Sequence, residues 1–583
     1  MLSLLNKKWI LAKPARDVCQ QLSEAFDISP LLAQLLVNRN ITTRESGQYI
    51  LQNDMELAHD PFLMLGMAPA VRRIVTAIQN KESITLYGDY DVDGVTSTAL
   101  MVHFFRDLGI PLQHYLPNRM AEGYGVNEAA LEKIKARGGK LVITADCGIT
   151  AVRQVKFAAS IGLDVIITDH HQVGEDGLPP ALAVLNPHQP GCTYPFKFLA
   201  GVGIVFKLAV GIRRGLLEAG WDPDRLPNLK KHLDLFAIGT IADMAPLNGE
   251  NHVLTAHGLE VLRVTAKPGL VALKSVVGLD GRIDAASIGF GLGPRLNAAG
   301  RLGQADRGLH LLMSDNLDQA VAMAEKLNQL NEERKETQQW AQKEAEYLLD
   351  RQVDLEKDRV IVLASENFHQ GVIGIVAAKL AEKYYRPTVL IALQDGVGKG
   401  SARSIPVFNL FKALVQCSEH LIEYGGHAYA AGLKIEEQKV AQFREAFNEV
   451  GREFLTPEHL IPEVTIDATL LLKDITPAFF NEVQKLEPFG QLNKKPVFVS
   501  RQVQVQNFRT LGKQNLHVKF KAVQGPASLE VIGFNLGPAL DPTLLDEPMD
   551  LVYELHLNDW NGRQKIELKL LDICPSDRSA RGE

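Results

Sequence analysis

No stretch of this chain approaches the roughly twenty apolar residues of a membrane span, and the opening Met1-Leu2-Ser3-Leu4-Leu5 is cut short by Lys7 and Lys8. No membrane-spanning helix is expected within this sequence, and a soluble, cytoplasmic protein is expected. Cysteine is scarce: Cys19, Cys147, Cys192, Cys417 and Cys574 are scattered, odd in number and never in C-x-x-C spacing. That excludes a disulfide framework and a structural zinc, and it fits a reducing cytosol. Positive charge is not in excess, since 62 Lys and Arg stand against 69 Asp and Glu for a net charge of -7. A uniformly basic nucleic-acid binder is excluded, although a local basic groove is not. Internal repeats and low-complexity runs are lacking too. With 46% hydrophobic and 22% charged residues over 583 positions, the chain is globular and too long for a single core.

What is present is a set of strand patterns that end in metal-ligating side chains. The run Asp164-Val165-Ile166-Ile167 leads into Thr168-Asp169-His170-His171. It reads as a buried parallel strand, and open α/β sheets bind ligands at the carboxyl ends of such strands. Two histidines beside an aspartate suit Mn, Zn, Fe or Mg-like sites, although one such triplet also fits a surface turn. Two more strands end in the same way. Ile84-Thr85-Leu86-Tyr87 runs into Gly88-Asp89-Tyr90-Asp91-Val92-Asp93-Gly94, and Lys140-Leu141-Val142-Ile143-Thr144 runs into Ala145-Asp146-Cys147-Gly148. Carboxylates at alternate positions raise one another's pKa if left bare, and a divalent cation, or a pair, removes the repulsion. A helix-capping turn before a helix from Thr96 needs one acid, not three. A calcium loop lacks its twelfth-position glutamate here and follows a strand instead of a helix. Cys147 reads as a small buried residue in a tight turn. Further on, an apolar helix over 236–242 is expected to break at Gly239 and present Asp243, by itself an ordinary loop acid.

From 83 to about 260, strand and helix patterns alternate at βαβ spacing, which predicts a mostly parallel, doubly covered sheet. The expected layout is an N-terminal helical segment at 1–67, a parallel-sheet α/β domain at 68–315, a connecting helix at 316–357, a second α/β domain at 358–456, and an antiparallel OB-like barrel with a tail at 457–583. The connecting helix rests on Ala320, Met323, Ala324, Leu327, Leu330 and Trp340, spaced by threes and fours without glycine or proline, although no heptad is sustained. The barrel rests on five alternating segments at 496–505, 516–522, 528–534, 551–557 and 565–571. Phe508 and Trp560 fit base stacking or core, and Phe520 fits core. Lys513, His517, Lys519, Arg563 and Lys565 lend this domain modest positive charge.

Three stretches combine glycine with arginine or histidine. The loop 117–125 holds Arg119 and Tyr124, suited to a phosphate oxygen and a base, or equally to solvent and loop packing. Residues 287–303 place Arg295 and Arg301 around Asn297, and read as a flexible loop unless a ligand orders it. Ser401 and Arg403, with the glycine-lined His427 after Gly425 and Gly426, suit an anion.

In combination these pieces are specific. Gly88 to Gly94, Asp146-Cys147-Gly148, Asp169-His170-His171 and Gly239-Thr240-Ile241-Ala242-Asp243 resemble the four ordered motifs of the DHH phosphoesterase superfamily. Gly293-Pro294-Arg295-Leu296-Asn297-Ala298-Ala299-Gly300-Arg301 and Gly425 to Leu433 resemble its bacterial single-strand-specific 5′ exonucleases, over nearly the whole length. The resemblance implies a DHH domain, a DHH-associated (DHHA1) domain and an OB-like barrel. It implies hydrolysis of phosphodiesters with Mn2+ or Mg2+, two ions held by Asp89, Asp91, Asp93, Asp146, His170 and Asp243, with Asp89 either a direct ligand or a support for the others. Asp146 bridges the ions, and His171 contacts the scissile phosphate, making Asp146, His170 and His171 the catalytic set. Arg119, Tyr124, Arg295, Asn297 and Arg301 are implied to hold the strand, Ser401 and Arg403 its 5′ end, and Gly425, Gly426 and His427 the signature glycine loop. Release of 5′-mononucleotides from single-stranded DNA follows, in DNA repair and recombination, with a single-strand binding protein and a helicase as partners. A small-substrate phosphohydrolase would not need the barrel and long helix. A scaffold that has lost catalysis would not keep every motif acid and both histidines.

Overall fold

Five short strands form a wholly parallel sheet: β1 (Ile84–Gly88), β2 (Gln113–Tyr115), β3 (Leu141–Ala145), β4 (Asp164–Thr168) and β5 (Ala183–Leu185), in the order β2-β1-β3-β4-β5. Side chains alternate across the pleat, and both faces are covered by helices. Ile84, Leu86, Leu141, Ile143 and Ile166 share one core with the helices Met67–Gln79, Val92–Asp107 and Gly201–Glu218. Tyr87, Val142, Val165 and Ile167 pack on the other face against Glu128–Ala136 and Val152–Ser160. From β1 the chain crosses first to β2 on one side and then to β3 on the other. That reversal opens a crevice at the carboxyl ends of β1 and β3, where ligands bind in sheets of this kind.

The computed structural model describes residues 2–576 apart from 118–121, 124, 280, 302–305 and 561–562. It divides into two units: 15–331 with 482–495, which holds the parallel sheet, and 1–14 with 332–481 and 496–583. In the second unit a mixed sheet comprises β6 (Ile361–Ser365), β7 (Thr388–Gln394), β8 (Val397–Arg403), β9 (Leu421–Gly426) and β10 (Ala430–Glu436), ordered β9-β10-β8-β7-β6. Five further strands, β11 (Val497–Leu511), β12 (His517–Gln524), β13 (Ala527–Gly533), β14 (Met549–Trp560) and β15 (Arg563–Pro575), close into a barrel through the β11–β14 pairing. The strand Lys8–Leu11 pairs in parallel with Glu463–Ile466, and the Trp9 indole donates to Asp572 Oδ2 at 2.7 Å.

Several local expectations are corrected. The helix expected from Thr96 begins at Val92, because Asp91 Oδ1 caps it by accepting from the amides of Asp93 (2.9 Å) and Gly94 (3.1 Å). The helix Leu233–Ala242 runs unbroken through Gly239. A Cβ at Gly239 would lie 2.4 Å from Thr96 Oγ1 and 2.8 Å from Val202 Cγ1, so this glycine marks a close crossing of helices, not a break. Residues 287–301 are not a loop: a π-helical turn, Ser287–Leu292, passes directly into the helix Gly293–Arg301.

The helix Leu317–Gln352 contributes Ala320, Ala324, Leu327 and Leu330 to the first unit's core, and Ala341, Ala345 and Leu349 to a core of the second. Trp340 falls off that stripe and is 48% exposed. Phe520 is barrel core and Phe508 stacks on it at 6.2 Å, half-buried. Lys519 lies 3.6 Å from Glu567 and 3.7 Å from Glu530, and Lys565 lies 4.0 Å from Glu530, so their charge is largely answered within the barrel. The side chains of Trp560 and Arg563 are outside the described residues. Among the described residues no single helix is long and apolar enough to cross a membrane.

His252, fully buried in the helix Gly249–Val264, is pushed down to about 4 by its burial. An unfolded histidine titrates at about 6.5, so between those values the unfolded chain binds a proton that the folded chain does not. This contribution is fully present above about pH 6.5 and is lost as pH falls toward 4, by up to about 3 kcal/mol. Thermal melts from neutral to mildly acid pH should show a shallower loss of stability for His252→Met than for wild type. Equal slopes would refute the assignment.

Candidate metal centre

The turns after β1, β3 and β4 deliver Asp89, Asp146 and Asp169 to one edge, all buried. Ligand atoms lie within 4.8 Å of one another in three overlapping groups: Asp89, Asp91 and Asp146; Asp93, His170 and Asp243; and Asp146, His170 and His171. Asp146 and His170 each belong to two groups and so join the lobes. His170 Nε2 is 3.2 Å from Asp146 Oδ1 and 3.9 Å from both Asp93 Oδ2 and Asp243 Oδ2. Asp146 itself sits at φ +64°, a left-handed conformation unusual outside glycine and common where geometry serves a site.

Electrostatics show what the cluster needs. Burial, followed by the charge of Asp91, raises Asp93 to about 7. Burial, then Asp93 and Asp91, raises Asp243 to about 9. Asp146 is driven well above the carboxylate range by burial and by Asp93, Asp91 and Asp89. Burial and the neighbouring His171 push His170 down to about 4, which leaves the neutral ring that a metal ligand requires. Asp146 Oδ1 and His170 Nε2 are both buried and make no hydrogen bond. Mutually repelling carboxylates, a neutral imidazole and buried lone pairs without donors fit one or two divalent cations.

His171 is in a different state. Burial opposes its charge, but the hydrogen bond and charge of Asp169 overcome this and raise it to about 9. Asp169 Oδ1 accepts from His171 Nδ1 at 2.7 Å and from its backbone amide at 3.0 Å, while Oδ2 accepts from the Ile149 amide at 2.8 Å. His171 is therefore an imidazolium at the edge of the cluster.

Sequence reasoning did not assign Asp169 this role, although its place in the motif was a signal, and it missed Gly201 and Val202. Their amides open the helix Gly201–Glu218 and donate to Asp93 at 2.6 and 2.8 Å. The only signal was a glycine pair, Gly201 and Gly203, at the head of an apolar run. Asn297 Oδ1 accepts from the Val92 amide at 3.2 Å, and Arg295 donates to Asn328 Oδ1 (2.9 Å) and to the Gly291 carbonyl (2.8 Å). Arg301 is half-buried at the end of the same helix. Arg119 and Tyr124 are outside the described residues.

Ser401, Arg403, Gly425, Gly426 and His427 belong to the other unit. Arg403 donates to the Ala402 carbonyl at 2.8 Å and to Ser401 Oγ at 3.3 Å, and burial lowers its pKa. Above this pair begins the helix Ile373–Tyr384, where a Cβ at Gly374 would meet Ser401 Oγ at 2.9 Å and Arg403 Nη2 at 3.2 Å. Gly425 and Gly426 end β9, and His427 lies in the turn to β10. Gly425 pairs with Gly432, which pairs with Ser401, so one row of the sheet connects them.

A Cβ at Gly201 would lie 2.6 Å from Asp146 Cβ and 2.7 Å from its Oδ1. Gly201→Ala is therefore expected to displace Asp146 and weaken Mn2+ binding at least ~10-fold in a calorimetric titration, on the order of 1.4 kcal/mol. Unchanged affinity would show that Asp146 takes no part in holding the ion.

Three family models match successive parts of the chain: the DHH family N-terminal domain over 83–240, the DHHA1 domain over 357–453 and the RecJ OB domain over 466–572. The chain is 41% identical over 573 residues to the single-stranded-DNA-specific exonuclease RecJ of Bacillus subtilis (strain 168), covering 98% of this chain and 71% of that protein. It is 36% identical over 575 residues to the protein of the same description from Escherichia coli (strain K12), covering 96% and 98%. A crystal structure of RecJ in complex with Mn2+ from Thermus thermophilus matches with a TM-score of 0.81 at 29% identity, over 97% of this chain and 79% of that one. The order of parallel sheet, mixed sheet and barrel, the acidic cluster at the sheet's edge and these near-full-length matches together make the chain a member of the RecJ family.

Proposed function

We propose that the protein is a metal-dependent exonuclease specific for single-stranded DNA, which proceeds from the 5′ end and releases 5′-mononucleotides. The observation that carries this reading is the cluster of Asp89, Asp91, Asp93, Asp146, His170 and Asp243, in which Asp146 Oδ1 and His170 Nε2 are buried and have no hydrogen-bond partner among the described residues. These six residues are the proposed ligands of two Mn2+ or Mg2+ ions. Bound there, such ions supply Lewis-acid stabilisation of a phosphodiester and lower the pKa of water. The substrate class is supported by the names of the B. subtilis and E. coli relatives, and the metal by the T. thermophilus structure.

The protein's own groups have distinct tasks in this reading. The Gly201 and Val202 amides hold Asp93 in place and favour its ionised form. Asp146 and His170 tie the two ligand groups together. His171, kept protonated and oriented by Asp169, donates to a non-bridging oxygen of the scissile phosphate, where negative charge grows.

Arg403 makes no ion pair among the described residues. A half-buried guanidinium beside a hydroxyl under a helix start suits a terminal phosphate, and this supports attack from the 5′ end. Arg119, Tyr124, Arg295 and Arg301 are proposed to hold the strand, and Gly425, Gly426 and His427 to line the pocket of its 5′ end. The proposed division is an N-terminal segment (1–67), a catalytic domain (68–315), a connecting helix (316–357), an end-binding domain (358–456) and a barrel (457–583). DNA repair and recombination in the cytoplasm, alongside a single-strand binding protein and a helicase, is the proposed setting. The five free cysteines are consistent with that compartment.

Two assays test the reading. A 5′-labelled single strand with Mn2+ or Mg2+ should release labelled mononucleotide rapidly, while the same strand in a blunt duplex should not. Cleavage of polyphosphate or dinucleotides in its place would move the protein to the small-substrate branch. Asp146→Ala should lower hydrolysis by roughly three orders of magnitude or more, as expected when a catalytic metal site is dismantled, with strand binding largely retained. A fully active variant would overturn the ligand assignment.

A further inference from the structure

We infer that Asn297 is a positioning residue for the metal centre, acting through the backbone amide of Val92, and that it couples the arginine-bearing helix Gly293–Arg301 to the metal loop. The inference rests on the metal-dependent reading above and assigns to this side chain a task other than direct grip on the strand.

The first amides of a helix have no partner within it. In the helix Val92–Asp107, Asp91 Oδ1 takes the Asp93 and Gly94 amides, and the Asp91 carbonyl takes that of Val95 at 2.9 Å. The remaining first-turn amide, Val92 N, donates to Asn297 Oδ1, 205 positions along the chain. Val92 lies between Asp91 and Asp93, so this one bond sets the backbone that carries two proposed ligands. Both flanking side chains are already committed, Asp91 to its own helix and Asp93 to the Gly201 and Val202 amides. Neither can replace Asn297 without losing its own bonds.

The same helix reaches the opposite side of the cluster. It starts at Gly293, whose Cβ position would be 3.6 Å from Ala242 Cβ, next to Asp243. A single nine-residue helix thus touches the chain beside Asp243 at its start and the Asp91–Asp93 turn at Asn297. Its inner residues Leu296, Ala298 and Ala299 are buried, which packs it as one element. Arg301 stands four residues after Asn297, on the same helical face. A phosphate drawn to Arg301 therefore bears on the element that fixes the metal loop.

The two roles separate by experiment. Mn2+ affinity is measured by calorimetry on metal-free protein without DNA, and kcat and KM on single-stranded DNA at saturating Mn2+. If Asn297 acts through Val92, Asn297→Ala binds Mn2+ about 5- to 10-fold more weakly, the effect of one lost hydrogen bond, while KM for DNA stays within about twofold. Asn297→Asp keeps an acceptor for the Val92 amide and restores Mn2+ affinity to at least the wild-type value. If Asn297 instead only binds the strand, both variants raise KM and leave Mn2+ affinity unchanged, and the inference is overturned. Melting in EDTA reports whether the alanine variant is folded. Should it not be, Asn297→Asp alone decides: retained Mn2+ affinity supports the inference and a loss overturns it. Wild-type protein that binds no Mn2+ removes the functional reading and this inference with it, whereas normal wild-type binding with unaltered Asn297→Ala affinity removes this inference alone.

Discussion

Mutual repulsion among buried carboxylates is the constraint on which the first unit depends. Asp89, Asp93 and Asp146 are buried and Asp91 and Asp243 partly so; Asp91 raises the pKa of Asp93, Asp93 and Asp91 raise that of Asp243, and all three of Asp89, Asp91 and Asp93 raise that of Asp146. No chain adopts such a cluster for stability's sake. The structure holds it by aiming backbone amides at it: Gly201 and Val202 at Asp93, Ile149 at Asp169, and the first turn of Val92–Asp107 at Asp91. Those amides belong to elements fixed by the apolar cores on both faces of the sheet. Core packing thus offsets the electrostatic cost, and the strained backbone of Asp146 is tolerated on the same account.

Asp89, Asp91, Asp93 and Asp146 were legible in the sequence because they follow apolar strand runs, and like charges at alternate positions have few structural uses; Asp243, at the end of a helix, stood out only through the resemblance. The sheet was legible from its alternating patterns for a similar reason. What stayed hidden lies mostly in backbone donors and tertiary contacts. Nothing in the side chains of Gly201 and Val202 announces that their amides face Asp93, and a bond between residues 92 and 297 leaves no local trace. Capping was weighed for the three acids as an alternative to metal binding, with the helix starting at Thr96; Asp91 is both a cap and a cluster member, and the helix starts at Val92. Glycine at 239, 291, 293 and 300 suggested breaks and loops by intrinsic propensity. At Gly239 and Gly291 the missing side chain leaves room for Thr96 and Val202 and for Val277, and packing overrides propensity. Trp340 continued an apparent stripe, but the buried stripe of the long helix shifts between one core and the next and leaves it exposed.

The second unit poses the opposite electrostatic problem. Arg403 is half-buried beneath the helix start at Gly374 and, among the described residues, bonds only neutral oxygens, those of Ala402 and Ser401. An arginine does not shed its proton to relieve burial. Gly374 closes the helix over the pair, and the row through Gly432 to Gly425 leaves the adjoining sheet bare of bulky side chains. A half-buried guanidinium in such a cradle suits an anion, which is what supports the proposed end-binding role.

Set side by side, the two units explain why net charge is uninformative here. The chain carries -7 overall, and the barrel cations Lys519 and Lys565 lie close to glutamates, so no broad positive surface is needed for recognition. What matters is local imbalance. One site has carboxylates in excess and lacks cations; the other has a guanidinium and lacks an anion. The proposed reading assigns divalent ions to the first and a terminal phosphate to the second, both of them partners that a phosphodiester chain with its counter-ions supplies. On that reading, selectivity for a charged, phosphate-ended polymer rests on two separate electrostatic deficits, each set by the local excess of one sign of charge.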